Sequence, residues 1–273
     1  MSAPLWQPSS QRIESSNLQH FIRQVNDAHS LSLTDYSDLY NWSIDKTEDF
    51  WSELWDFAGV IADKKSDTVL ENPEKMPGAR WFPDSKLNFA ENLLKFRDDC
   101  TAIVFRGEKG QRNALTYSEL YLQVAQYAAG LKKMGVVKGD RVAGFVPNCA
   151  ETLIAMLATT SIGAVWSSCS PDFGINGVYD RFGQIKPKVL FTTDGYFYAN
   201  KTLDSLEKVS GILERLPDIK QVVVIPFVDE NPDLSTLTEP AKSKATLLSD
   251  FVDTSATEIS FEPVDFDHPL YIM

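Results

Sequence analysis

The stretch LTYSELYLQVAQYAAGLKKMGVVKGDRVAGFV, residues 115–146, contains a whole helix and a whole strand, each with its own start and stop signals. Thr116 and Glu119 have capping-box spacing, in which a hydroxyl and a carboxylate satisfy free N–H groups at a helix start. Leu120, Val124, Tyr127 and Leu131 then recur on one helical face up to Gly135, a residue suited to the left-handed conformation that ends helices. Lys138-Gly139-Asp140 turns the chain, and residues 141–146 follow as an apolar strand.

The same alternation extends outward. Upstream, Ala102-Ile103-Val104-Phe105 is a β-rich run closed by a turn at 106–110. Downstream, the pattern predicts a helix over 148–162 capped by Asn148, a strand over 164–167 and a helix over 175–185. A strand over 188–192, a helix over 203–216 and a strand over 221–225 complete it. Parallel strands need a crossover and a helix supplies it, so four alternations predict an α/β fold with a doubly wound parallel sheet. Residues 227–267 are acidic and interrupted by proline, with one helix expected near 247–252. At 269–273 a new apolar run begins, which reads as a core strand with no continuation; residues 101–273 are therefore expected to be an incomplete α/β domain.

Residues 1–100 read as a helical extension. Leu18, Phe21, Ile22 and Val25 share a helical face behind the capping cluster Ser15-Ser16-Asn17. A second helix is expected from Thr47, with Phe50, Leu54 and Phe57 in one stripe and Trp51 and Trp55 in a neighbouring one that packs on a core. Charge and proline over 63–86 predict a connecting segment, and Phe89, Leu93 and Phe96 predict a short helix over 88–96.

A formal charge of −12 argues against a surface that wraps nucleic acid or anionic lipid. Cys100, Cys149 and Cys169 are odd in number and widely spaced, which fits neither a disulfide framework nor a metal ribbon and suggests a reducing compartment. Met1-Ser2-Ala3-Pro4-Leu5-Trp6 lacks the basic and apolar segments of a leader, and no apolar stretch is long enough to span a bilayer. The expectation is a soluble, cytosolic protein.

Ligands of doubly wound folds sit at the carboxyl ends of the strands. Neither the dinucleotide fingerprint nor the Gly-x-x-x-x-Gly-Lys-Ser/Thr phosphate loop occurs; Gly174-Ile175-Asn176-Gly177 is only a fragment of the former. His20, His29 and His268 lie in separate segments without metal-ligand spacing. Ser167-Ser168-Cys169-Ser170 follows a strand but is no nucleophile elbow and has no assignable base. One loop stands out. Asp194-Gly195-Tyr196-Phe197-Tyr198-Ala199-Asn200-Lys201 combines a glycine turn, three aromatics and a cation, able to stack a ring and pair with a phosphate.

The run 115–120, with Leu131, Gly135, residues 138–142 and Gly163-Ala164-Val165, resembles the N-terminal sheet of the adenylate-forming acyl-CoA ligases over residues 101–225. Phe50-Trp51 and Leu54-Trp55 resemble the N-terminal extension of the acetate-using members. Two further blocks resemble the branch whose acid is acetoacetate: residues 78–83 with 87–92, and residues 166–174 with Asp180-Arg181-Phe182. The acetate-using members carry a glycine pair where this sequence has Pro171-Asp172.

The resemblance implies two steps. Acetoacetate attacks the α-phosphate of ATP, with Mg2+, to give an acyl-adenylate and diphosphate; the thiol of CoA then displaces AMP. It places the ATP and Mg2+ ligands after Met273, so the 273-residue chain alone is expected to be inactive, as the N-terminal part of an acetoacetate–CoA ligase. A non-catalytic binding or pairing module is the alternative. By the same resemblance Tyr198 and Lys201 correspond to two arginines near the CoA phosphates, with Tyr198 replacing one and Lys201 keeping one charge. Asp172 and Phe173, next to Pro171, line the adjacent loop. The implied partners are acetoacetate, ATP and CoA, with no nucleic acid and no membrane.

Overall fold

The computed structural model describes residues 5–273, so the reading of residues 1–4 as leaderless lies outside the described residues. The chain forms two compact units divided between Ser85 and Lys86.

The first unit is helical. Helices α1 (Ser10–Glu14), α2 (Asn17–His29), α3 (Tyr36–Asp45) and α4 (Thr47–Phe57) are followed by short ladder segments. Phe21, Ile22 and Val25 of α2 are buried against Leu39 and Trp42 of α3, with Phe50, Leu54 and Phe57 of α4 packed on the same cluster. Ser16 caps α2 by accepting from the Gln19 N–H, as the Ser-Ser-Asn cluster predicts. Leu18, expected on the stripe, is exposed. Trp55 is buried, with its ring 4.6 Å from that of Phe82. Trp51 is only half covered, by the edge of Trp81 at 5.6 Å. The sequence reading did not include α3; its cap is Asp35, which accepts from the Asp38 N–H. Over 63–86 the only ladder within the unit pairs Leu70–Glu71 with Arg80–Trp81, as a connecting segment requires.

The second unit holds a six-stranded, wholly parallel sheet. After helix α5 (Phe89–Leu93), strands β1 (Thr101–Arg106) and β2 (Arg112–Thr116) form an antiparallel hairpin apart from that sheet. The run 102–105 is thus not a sheet strand. Then come α6 (Tyr117–Lys133), β3 (Arg141–Phe145), α7 (Ala150–Ser161), β4 (Val165–Cys169), α8 (Ile175–Ile185) and β5 (Val189–Thr193). A second hairpin, β6 (Gly195–Tyr198) and β7 (Lys201–Asp204), precedes α9 (Leu206–Arg215) and β8 (Gln221–Ile225). The short α10 (Ala241–Lys244), β9 (Ala245–Leu247), α11 (Leu248–Phe251) and β10 (Tyr271–Ile272) end the chain. The order across the sheet is β9-β8-β5-β3-β4-β10. The apolar run from 269 does enter the sheet, as an edge strand beside β4.

The central strands β3, β4, β5 and β8 alternate between two buried faces. Val142, Trp166, Val189, Phe191 and Val223 pack under α5, α6, α7 and α11. Ala143, Phe145, Leu190, Val222 and Val224 pack under α8, α9 and α10. Burial on both faces explains why these strands read as continuous apolar runs. The capping box of α6 is present, its stripe Leu120, Val124, Tyr127 and Leu131 is buried, and Gly135 lies just beyond the helix at φ +73°. At Gly144 a Cβ would sit 2.7 Å from the Trp166 ring, so glycine lets that indole cross the strand.

Two local expectations are corrected. Helix α7 starts at Ala150 with Cys149 at its N-cap, because residues 146–149 are still leaving the strand; Asn148 does not cap it. In α5 the large residues Phe89, Leu93 and Phe96 face outward, while Ala90 and Leu94 are buried. Asn88 anchors that turn instead: its amide donates to the carbonyls of Thr160, Ser161 and Glu262 at 2.9–3.1 Å, and its side-chain oxygen caps the helix. Among the described residues no helix is long and apolar enough to cross a membrane.

Candidate functional site

The connection leaving β3 passes over one face through α7, whereas those leaving its neighbours β4 and β5 pass over the other through α8 and α9. Oppositely directed loops open a crevice at the carboxyl ends of these strands, where open α/β sheets bind ligands. Two segments border it: residues 170–174 after β4, and the β6/β7 hairpin after β5.

The segment expected to be an aromatic loop is therefore a hairpin, turned by Ala199 and Asn200 at φ +49° and +63°. Two central residues with positive φ match the twist of the flanking strands. Directly opposed residues share a face, so Tyr196, Tyr198, Lys201 and Leu203 lie on one side of the ribbon. Tyr198 and Lys201 are exposed and paired with each other across the turn. The tip is tied to the other hairpin: Lys109 donates to the Asn200 carbonyl at 2.9 Å, and the Ala199 N–H donates to Glu108 at 3.2 Å.

The base of the hairpin is fixed by Asp194. Its carboxylate accepts from the N–H groups of Phe227, Val228 and Asp229 at 2.8–3.1 Å, locking the exit of β5 to the exit of β8. Tyr196, buried, reaches across to the other segment. Burial pushes its phenol up, and the nearby Asp172 carboxylate pushes it the same way. Ser170 holds the Asp172 carboxylate from its own side at 3.0 Å. Lys208, in the first turn of α9, donates to the Pro171 carbonyl at 2.7 Å and lies 3.5 Å from the Tyr196 hydroxyl.

The segment that holds Asp172 is thus tied through Lys208 to the hairpin face that carries Tyr198 and Lys201. Phe173 turns elsewhere, with the Arg181 guanidinium 4.1 Å from its ring centroid and Arg181 donating to the Gly177 carbonyl. The arrangement offers an exposed aromatic and a cation side by side, backed by a fixed polar loop. That is chemistry for stacking a base and pairing a phosphate.

The cysteine, serine and histidine side chains read from the sequence lie apart from one another. Burial pushes the Cys169 and Cys149 thiols up to about 12, so neither supplies thiolate at neutral pH. Ser168 is engaged with the Tyr271 hydroxyl at 2.6 Å. His29 faces Glu53, His268 donates to the Gly163 carbonyl and His20 is exposed, in three different places. Among the described residues no three His, Cys, Asp or Glu side chains converge as a metal site.

The model of the AMP-binding enzyme family matches residues 89–273, and that of the acetyl-coenzyme A synthetase N-terminus matches residues 36–93. The chain belongs to the AMP-binding enzyme family. A curated relative from Xenopus tropicalis named acetoacetyl-CoA synthetase is 40% identical across 98% of this chain and 40% of its own length. The acetoacetyl-coenzyme A synthetase of Rhizobium meliloti is 38% identical across 99% of this chain and 41% of its own. Among solved structures, an acetoacetyl-CoA synthetase from Streptomyces lividans superposes with a TM-score of 0.88 at 36% identity, covering 99% of this chain and 41% of that one. The chain spans about 40% of the length of the relatives it matches.

Within this AMP-binding enzyme fold, sequence reasoning missed Lys208 and the bridging role of Tyr196. One signal for Lys208 was present. A cation in the first turn opposes the helix dipole, which makes Lys208 anomalous in the run 206–215 unless something holds it there.

Proposed function

We propose that the chain provides the CoA-side scaffold of an ATP-dependent acid–thiol ligase that converts acetoacetate, ATP and CoA to acetoacetyl-CoA, AMP and diphosphate. In the first step an acetoacetate carboxylate oxygen bonds to the α-phosphorus of ATP as the bond to the β-phosphate oxygen breaks, releasing diphosphate. In the second the CoA sulfur bonds to the acyl carbon, and the bond to AMP breaks. The observation that carries the reading is the exposed Tyr198–Lys201 pair at the carboxyl end of the sheet, on a hairpin tied through Lys208 to the segment that holds Asp172. Identity near 40% to proteins named acetoacetyl-CoA synthetase supports acetoacetate as the acid.

In this reading Lys201 pairs with a CoA phosphate and Tyr198 stacks on the adenine, while Asp172 lines the other wall and Phe173, turned onto Arg181, does not face them. Lys201 is a point charge rather than a fork, so it attracts phosphate without fixing its orientation. No described residue is assigned to the ATP phosphates or to Mg2+, because no phosphate loop and no converging carboxylates are present. Residues 1–100 serve as the N-terminal extension and 101–273 as the AMP-binding part. The setting proposed is the cytosol, in the use of acetoacetate as a ketone body and lipid precursor.

Two measurements on the purified chain test this. Calorimetric titration with CoA is expected to show binding that Lys201→Met weakens about tenfold, the loss of one charge-assisted contact. Incubation with ATP, Mg2+, acetoacetate and CoA is expected to yield neither AMP nor diphosphate. Binding unaffected by Lys201→Met refutes the CoA assignment, and AMP formation refutes the claim that adenylation needs other groups. CoA binding without turnover also suits a non-catalytic binding module; adding the remaining segments of a relative in trans separates the two.

A further inference from the structure

Lys208 is a half-buried ammonium in an unfavourable place. It sits in the first turn of the ten-residue helix α9, where the dipole is positive, and no carboxylate lies within ion-pair distance of it among the described residues. Two contacts hold its head: the Pro171 carbonyl at 2.7 Å and the Tyr196 hydroxyl at 3.5 Å. The same nitrogen is 5.4 Å from the Tyr196 ring centroid and 6.0 Å from that of Phe145. Pro171 has no N–H and is buried, so its carbonyl is the one main-chain polar group by which the segment after β4 can be gripped at that residue.

We propose that Lys208 is a positioning residue that clamps segment 170–174 to hairpin 195–204, fixing the spacing between the two walls of the CoA site. The inference rests on the proposed function for its ligand, but its mechanical content stands apart from it. The clamp has two arms from one nitrogen. One arm holds the main chain beside Asp172 and Phe173; the other holds the hairpin strand that carries Tyr198. A lysine suits this task because its three N–H donors point in different directions, so one head can bridge two elements. Releasing it frees both walls at once.

The test pairs amide hydrogen exchange with CoA titration on the full 273-residue chain. Lys208→Met keeps the apolar stem and removes the head. It is expected to speed exchange about tenfold at the Phe173 amide, which bonds the Ser170 carbonyl, and at the β6/β7 ladder amides, while the amides of β3 and β8 are unchanged. CoA affinity is expected to fall about tenfold. Lys208→Arg, able to reach the Pro171 carbonyl, restores exchange and affinity at least in part. Tyr196→Phe removes the hydroxyl arm while leaving Lys208 on Pro171; it guards against a Lys208 variant that fails to fold, and it is expected to speed the β6/β7 ladder amides.

Unchanged exchange in both segments on Lys208→Met, or a uniform rise across the sheet, overturns the clamp. Faster exchange in both segments with CoA affinity intact also overturns it as a device of the CoA site. Failure of the CoA reading itself shows differently: Lys201→Met then leaves affinity untouched, or the parent chain does not bind CoA, while the exchange results for Lys208→Met still decide whether the two segments are coupled.

Discussion

The middle of the parallel sheet and its carboxyl-terminal rim are built from the same strands but held by different forces. In the middle, Val142, Phe145, Leu190, Phe191 and Val223 have no exposed surface, and Phe191 alone meets the rings of Tyr127, Trp166 and Phe251 at 5.5–6.2 Å. At the rim, Asp194, Tyr196 and Lys208 join loops through named hydrogen bonds. Packing is non-directional and adds up over many contacts, whereas each rim bond is specific and modest in net worth. The difference teaches where the molecule can change shape: the rim can loosen locally while the middle stays intact.

The largest expected effect comes from the middle. Phe191→Ala removes a ring enclosed by three others and should cost about 3–5 kcal/mol, seen as a lower denaturation midpoint with every probe moving together. A cost near that of a surface change would mean the sheet centre is not the core. Asp194→Ala comes next. It strips three N–H groups of their acceptor and should cost about 2–3 kcal/mol, with exchange rising first at Phe227, Val228 and Asp229. If exchange rises equally in β3, the rim is not a separate cooperative unit. Gly144→Ala should cost about 1–3 kcal/mol, since the new methyl meets the Trp166 ring, and should blue-shift or quench tryptophan emission by moving it.

The same division explains what could be read from the sequence. The strands read as 141–146, 188–192 and 221–225 are found at Arg141–Phe145, Val189–Thr193 and Gln221–Ile225, because an apolar run between turns is local information. Helix α8 spans the predicted 175–185. Pairing is not local: Arg112–Thr116 is too polar to announce itself, and without it the run 102–105 reads as a member of the sheet. In α5, five residues are too few for a period to declare itself, and the large side chains outvoted Ala90, which is the buried one. The rim was the least legible part. Lys208 is defined by a carbonyl 37 residues away, a separation no spacing rule spans. The aromatic-and-cation segment was visible by composition, but its hairpin form depends on left-handed Ala199 and Asn200, which composition does not announce.

The smallest effect lies outside both regions and bounds them. Asp253 follows α11 and accepts from Ser255 and Lys133, the latter at 2.9 Å on helix α6; these contacts, Ser255 first, lower its carboxyl from 3.8 to about 2. A folded-state value below the unfolded one means that the native chain favours the charged form, so the contribution is present above about pH 4 and fades as pH falls through about 2. Asp253 is half-buried but the lysine half of the pair is solvated, so salt should erase part of the effect. Asp253→Asn is therefore expected to lower stability slightly at pH 7, by less at high salt, and to flatten the stability profile between pH 4 and pH 2, as measured by denaturant midpoints across pH. An equal loss at every pH and salt concentration would place Asp253 with the hydrogen-bonded rim rather than with the screened surface, because a bond that survives salt and protonation is not an electrostatic one.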